Sequence, residues 1–180
     1  MSLPEDFSGL LERMAAAFAQ YEAEAGYSPV IVGGGAIAIQ TYGAFMSGDL
    51  DLYAPNDALL DKCLTGAGFK HEDRDRRLLG GYYHPDYPAY GVEAISGQLF
   101  DGRADHNRLL RITLDGDEAI TTPSFEDMIA DRLGQHAVDR SPDSALLHQA
   151  QLLFKVAVAL DLDYLKRRVA EEGGDYELLN

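Results

Sequence analysis

Residues 30–55 of this chain, VIVGGGAIAIQTYGAFMSGDLDLYAP, constrain its fold more than any other stretch. A short apolar run, Val30 to Val32, reads as a strand. Three glycines follow, Gly33, Gly34 and Gly35, and read as a turn. An apolar helix is expected from Ala36 to about Ala44. A second strand then carries Asp49 and Asp51 between Leu50 and Leu52. Side chains alternate along a strand, so the two aspartates share one face while the leucines point to the core. Their Cα atoms are about 6.6 Å apart, a spacing that suits two carboxylates holding one or two hard cations. Glycines admit a ligand close to the backbone, and amides at a helix start favour anionic oxygens. Phosphate at the turn and metal at the aspartates therefore make a single site.

The order of these pieces resembles the nucleotidyltransferase superfamily that includes DNA polymerase beta. Its signature is a hydrophobic residue, glycine, then glycine or serine, about a dozen further residues, and D-h-[DE]-h. Gly33-Gly34 or Gly34-Gly35 matches the first half and Asp49-Leu50-Asp51-Leu52 the second. The chain looks most like a small bacterial branch related to abortive-infection toxins, in which GGGA and a Ser/Thr-x-Asp-hydrophobic-Asp stretch recur; Ser47-Gly48-Asp49 fits. The resemblance implies magnesium or manganese at Asp49 and Asp51, with a nucleoside triphosphate as substrate. Gly33, Gly34, Gly35 and Ser47 would border its phosphates. It also implies a third carboxylate on a neighbouring strand. GVEAI (residues 91–95) alternates and sets Glu93 among apolar neighbours, where a charge requires a partner. Glu93 is the choice, with Asp101 and Asp105 as substitutes. Related proteins place a lysine facing the site on the helix after the core, and Arg132 stands near that place. Relatives also carry a serine after the first glycine and an arginine before the Ser/Thr; here stand glycine and Phe45-Met46.

The implied fold is α/β of the α+β kind: a mixed sheet of four or five strands with helices on one face, and a helical C-terminal part. Residues 1–122 would be the nucleotidyltransferase core and residues 123–180 the helical part packed on it. G-G-G does not follow the G-x-G-x-x-G spacing of dinucleotide-binding folds.

A helix is expected over residues 4–25, capped by Ser2 or Asp6 and ended by Gly26; another over 58–67, capped by Asn56 or Asp57. Residues 69–75 and 109–114 read as strands, with Asp115-Gly116 a turn. Residues 78–90 read as a loop or irregular hairpin whose Tyr82, Tyr83, Tyr87 and Tyr90 either stack on a base or line the core edge. His84 reads as polar loop surface. Arg74, Arg76 and Arg77 form the one dense basic cluster, either a solvated edge or a phosphate clamp. Ser124 with Asp127 reads as a capping box. A helix over 144–160 should turn Leu146, Leu147, Ala150, Leu153, Phe154 and Val158 inward. A short helix over 161–172 follows, and the tail after Gly173-Gly174 is expected to be loosely held.

Charge narrows the partners. With 30 acidic and 15 basic residues the net charge is −15. A protein that grips extended nucleic acid gains affinity from a basic face, so long DNA or RNA is a poor partner. No run is long enough to span a bilayer. The acidic, amphipathic opening is unlike a secretion signal, and the single cysteine, Cys63, in a helix, is a packing residue; both point to the cytoplasm. Three functions are compatible with the residues. One is a nucleotidyltransferase acting on a hydroxyl of RNA or protein, in the manner of a toxin, with a second copy or an antitoxin as partner. Another acts on a small cationic acceptor resembling an aminoglycoside. The third is a degenerate module that binds nucleotide or a partner without turnover.

Overall fold

The computed structural model describes residues 3–72, 81–114, 118–139, 141 and 144–179. The chain divides into two compact units. One holds Met1–Gln98 with Leu109–Thr122, the other Leu99–Arg108 with Pro123–Asn180.

The first unit is a mixed α+β domain. Helix α1 (Glu5–Ala25) places Phe7, Leu10, Leu11, Met14, Phe18 and Tyr21 on one fully buried stripe. Burying each of the larger apolar side chains is worth about 1.5–3 kcal/mol. Pro4, not Asp6, occupies the N-cap position, without a side-chain hydrogen bond, and Ser2 lies outside the described residues. Gly26 ends the helix at φ 81°, its N–H donating to the Glu22 carbonyl. Strand β1 (Val30–Val32) leads into α2 (Gly33–Gln40), β2 (Asp49–Tyr53) and α3 (Asp57–Gly66). The Asn56 side chain caps α3 by accepting from the Leu59 N–H. Then come β3 (Lys70–His71), β4 (Gly81–Tyr83), β5 (Gly91–Ile95), β6 (Leu110–Thr113) and β7 (Ala119–Thr122).

The main sheet has the order β1-β2-β5-β4-β3. Strands β2 and β5 run parallel and the other pairs antiparallel. Ile31, Leu50, Leu52, Tyr82 and Val92 project into one core with α1 and with Leu60, Cys63 and Leu64 of α3. Strands β6 and β7 make a separate two-stranded sheet.

Several expectations are corrected. The three glycines are not a turn before the helix but its first residues, and α2 ends at Gln40 instead of reaching Ala44. Of the two readings of residues 78–90, the hairpin is the one seen: Gly81–Tyr83 is β4, paired antiparallel with β5 on one side and β3 on the other. His84 is not surface. It is 5% exposed, because Phe69 and Tyr87 pack on its ring at 5.2 Å and 5.4 Å. Arg74, Arg76, Arg77, Asp115 and Gly116 lie outside the described residues.

The second unit contains α4 (Phe125–Asp139), α5 (Ala145–Val156) and α6 (Leu162–Glu171). Ser124 accepts from the Asp127 N–H at 3.0 Å, as a capping box requires. Helix α5 stops at Val156 and buries only Ala150 and Leu153 fully; Val158 lies past its end and is 89% exposed. The tail is held: Tyr176–Leu179 forms a 3-10 turn, Leu179 is buried, and Gln151 donates to the Leu178 carbonyl at 2.8 Å. No described helix is long and apolar enough to cross a membrane.

Candidate active site

Strand β2 lies between β1 and β5, and its alternation is visible in burial: Leu50 and Leu52 are fully buried, Asp49 is exposed and Asp51 half-buried. On β5, Val92 is buried while Glu93 is half-buried. In the parallel register Asp51 stands opposite Glu93, and Asp49 opposite Gly91. Residues opposed in register face the same way, and neighbouring strands are about 4.8 Å apart. Asp49, Asp51 and Glu93 therefore share the sheet face turned away from the α1 core. Tyr83 is opposite Gly91 and Lys70 opposite Tyr83, which puts them on the same face.

The start of α2 borders these acids. Val32, the residue before Gly33, is opposite Asp51 across β1 and β2. Gly33 has φ +59°, and a Cβ there would lie 2.5 Å from Asp51 Oδ2. A Cβ on Gly34 would lie 2.7 Å from Ser47 Oγ. The backbone is thus pressed against both side chains. The N-cap residue of α2, Val32, makes no side-chain capping hydrogen bond, and the leading N–H groups of the helix, which have no partner within it, give a partial positive charge beside Asp51. Gly35 also serves packing. A Cβ there would come within 3.0 Å of Ile31 and 3.3 Å of Leu50, so its absence seats α2 on the sheet. Ser47 Oγ donates to the Asp49 carbonyl at 2.7 Å, fixing the entry into β2.

The two aspartates lean to opposite sides of β2, Asp51 toward Gly33 and Asp49 toward Gly91, where a Cβ would meet Asp49 Oδ1 at 2.5 Å. As a donor set, three carboxylates suit a hard divalent cation. Among the described residues, no group of three or more His, Cys, Asp or Glu side chains is gathered closely enough to hold a metal ion. The fold supplies a shared face and register rather than a closed ligand cage.

The other expected residues are placed as follows. Arg132, on α4 of the second unit, is 8% exposed and engaged with Asp131 at 3.2 Å and Gln135 at 3.1 Å. Asp101 pairs with Arg103 at 2.9 Å, and Asp105 accepts from the Asn107 N–H at 3.0 Å. Both belong to the second unit. Of the four tyrosines, Tyr82 and Tyr90 are buried, donating to Asp61 and Asp6 respectively. Tyr87 packs on the core. Cys63 is buried, and that burial pushes its thiol pKa up.

Gly91 and Lys70 were not expected at the site from the sequence, whereas Tyr83 was among the tyrosines read as able to stack on a base. The one available signal was the Gly-x-Glu spacing in GVEAI, which puts Gly91 on the Glu93 face. Also unforeseen is a buried network in the second unit. Arg168 donates to Asp127 at 2.7 Å, to Glu171 at 2.8 Å and to Glu172 at 2.7 Å, while the Tyr164 hydroxyl donates to Asp127 at 3.0 Å.

No protein-family model matches this chain, and no curated protein matches it significantly. Among solved structures, it is similar to the solution structure of the antibiotic-resistance factor ANT(2'')-Ia, an aminoglycoside nucleotidyltransferase. That alignment covers 91% of this chain and 89% of the other, at a TM-score of 0.55 and 16% identity. The crystal structure of JHP933 from Helicobacter pylori aligns over 99% of this chain and 78% of the other, at a TM-score of 0.49 and 18% identity. At such identities the first likeness is one of fold: this chain has a mixed α+β, nucleotidyltransferase-like fold.

Proposed function

We propose that this protein moves a nucleoside monophosphate from a nucleoside triphosphate to a hydroxyl of a small, positively charged acceptor, with magnesium or manganese held by Asp49, Asp51 and Glu93. The observation that carries the reading is the register: two aspartates two residues apart on β2, with Glu93 opposite Asp51 on β5, beside the glycine start of α2. The likeness to the fold of ANT(2'')-Ia supports it at a coarse level. The net charge of −15 supports a cationic small molecule over a polyanion as acceptor.

In this reading the N–H groups of Gly33 and Gly34 receive phosphate oxygens, since the missing side chains leave the backbone accessible beside Asp51. Asp49 and Asp51 are metal ligands leaning to either side of β2. Glu93 would complete the ligand set and take up the proton released as the acceptor oxygen bonds to the α-phosphorus, while the bond from that phosphorus to the β-phosphate oxygen breaks and pyrophosphate leaves. A metal bound there would supply charge neutralisation on the phosphate oxygens.

The test is a melting series with manganese and a non-hydrolysable ATP analogue, followed by labelled-nucleotide transfer onto a panel of amino sugars, polyamines and short RNAs. Wild type should gain stability only when metal and nucleotide are both present, and Asp49→Asn should lose that gain while folding normally. Labelling of RNA in place of the amines would overturn the acceptor class. A wild type blind to metal and nucleotide together would sink the enzymatic reading.

A further inference from the structure

Glycine inside a strand is a cost: it loses more conformational entropy on folding than alanine and packs nothing. Gly91 is such a residue. It is the first residue of β5, paired with Asp49 of β2 on one side and Tyr83 of β4 on the other, and its N–H donates to the Gly48 carbonyl at 2.8 Å. Its φ is not in the positive range, so the backbone does not require glycine there. Gly33, with φ +59°, is different, because its conformation alone would select glycine. Among the described residues, a Cβ on Gly91 meets one side chain within 4 Å: Asp49, with Oδ1 at 2.5 Å and Cγ at 3.7 Å.

We propose that Gly91 is a positioning residue, whose missing side chain keeps open the place taken by the Asp49 carboxylate over β5, on the side where Glu93 stands. This rests on the reading of Asp49 and Glu93 as ligands of one cation. Asp49 arrives from β2 and must reach across one strand spacing to share an ion with Glu93. Gly91 directly opposite leaves the floor low enough for it to do so. Alanine at 91 would leave the backbone intact and displace only a flexible carboxylate tip. Metal ligands tolerate deviations of about 0.2 Å, so a carboxylate turned to another rotamer is lost to the site.

Four proteins decide the matter: wild type, Gly91→Ala, Asp49→Ala and the double variant. Each is melted without metal and titrated with manganese in the presence of a non-hydrolysable ATP analogue. Gly91→Ala should lower manganese affinity about tenfold or more, the usual range for residues that orient a ligand. The double variant should bind no worse than Asp49→Ala alone. In the Asp49→Ala background the alanine relieves a strand glycine without a clash, so it should raise the melting temperature by about 2–4 °C, and by less in wild type. Unchanged manganese binding in Gly91→Ala, with binding lost in Asp49→Ala, would overturn the role of Gly91 and leave the proposed function standing. Manganese binding that ignores Asp49→Ala would overturn the proposed function instead. In that case the melting series still judges Gly91, because strictly additive shifts mean that it does not hold Asp49 in place.

Discussion

Asp127→Asn should be among the most damaging single changes in the second unit. Asp127 is 1% exposed and Arg168 is fully buried, and they meet at 2.7 Å. The carboxylate also accepts from Ser124 Oγ at 2.7 Å and from the Tyr164 hydroxyl at 3.0 Å. Replacing one oxygen with an NH2 group presents a donor where donors already converge. The guanidinium is then left with Glu171 and Glu172, whose side chains are 37% and 12% exposed. Breaking a buried pair on one side costs about 3–5 kcal/mol, because the remaining charge stays desolvated. That is about a fifth or more of a typical domain stability of about 5–15 kcal/mol. With a urea dependence of about 2 kcal/mol per molar, the midpoint should fall by about 2 M, followed by far-UV circular dichroism. The companion variant, Asp127→Leu with Arg168→Met, removes both charges and should recover more than half of the loss. A loss under about 1 kcal/mol for Asp127→Asn would refute the idea that the pair is desolvated and coupled.

Gly134→Ala reverses the usual rule for helix interiors. Alanine normally gains about 1 kcal/mol there, but a Cβ at 134 would lie 2.7 Å from the Glu172 carbonyl and 2.9 Å from its Cβ; denaturant melts should show a loss of about 1–3 kcal/mol. Tyr82 links the first unit to alkaline pH. Burial, the negative charge of Asp61 and the hydrogen bond to it push its hydroxyl from 10.0 up to about 12. The stability it lends is complete below pH 10 and drains as pH rises toward about 12, so Tyr82→Phe should flatten the loss of stability in that window. Cys63 is buried with a raised thiol pKa, so thiol reagents should modify it at neutral pH only after denaturation; fast labelling of the native protein would contradict its packing.

Much of the local structure was written in the chain. Alternation in DLDLY and GVEAI assigned each side chain to a face, because that depends on neighbours two residues apart. The Ser124–Asp127 box and the Asn56 cap were legible for the same reason: both partners lie within one helical turn. So was the Gly-rich junction ahead of Asp49 and Asp51, although its glycines proved to be the helix itself. What the local pattern lacked was partnership at a distance. Glu93 was visible as a charge on a half-buried strand, but its place opposite Asp51 depends on β5 inserting parallel to β2, some forty residues away, with β4 closing over it. Composition left GGYYHPDYPAY as either a loop or an irregular hairpin with His84 on its surface, and only tertiary pairing of β4 with β3 and β5 and the packing of His84 on Phe69 and Tyr87 decided it. Arg168 looked like any basic residue of an amphipathic helix until α4 and α6 packed and enclosed it with Asp127. Short-range geometry sets which face a residue occupies. Only the packing of elements remote in sequence decides which residues meet across that face, because their contact energies exist only once the intervening chain has been ordered.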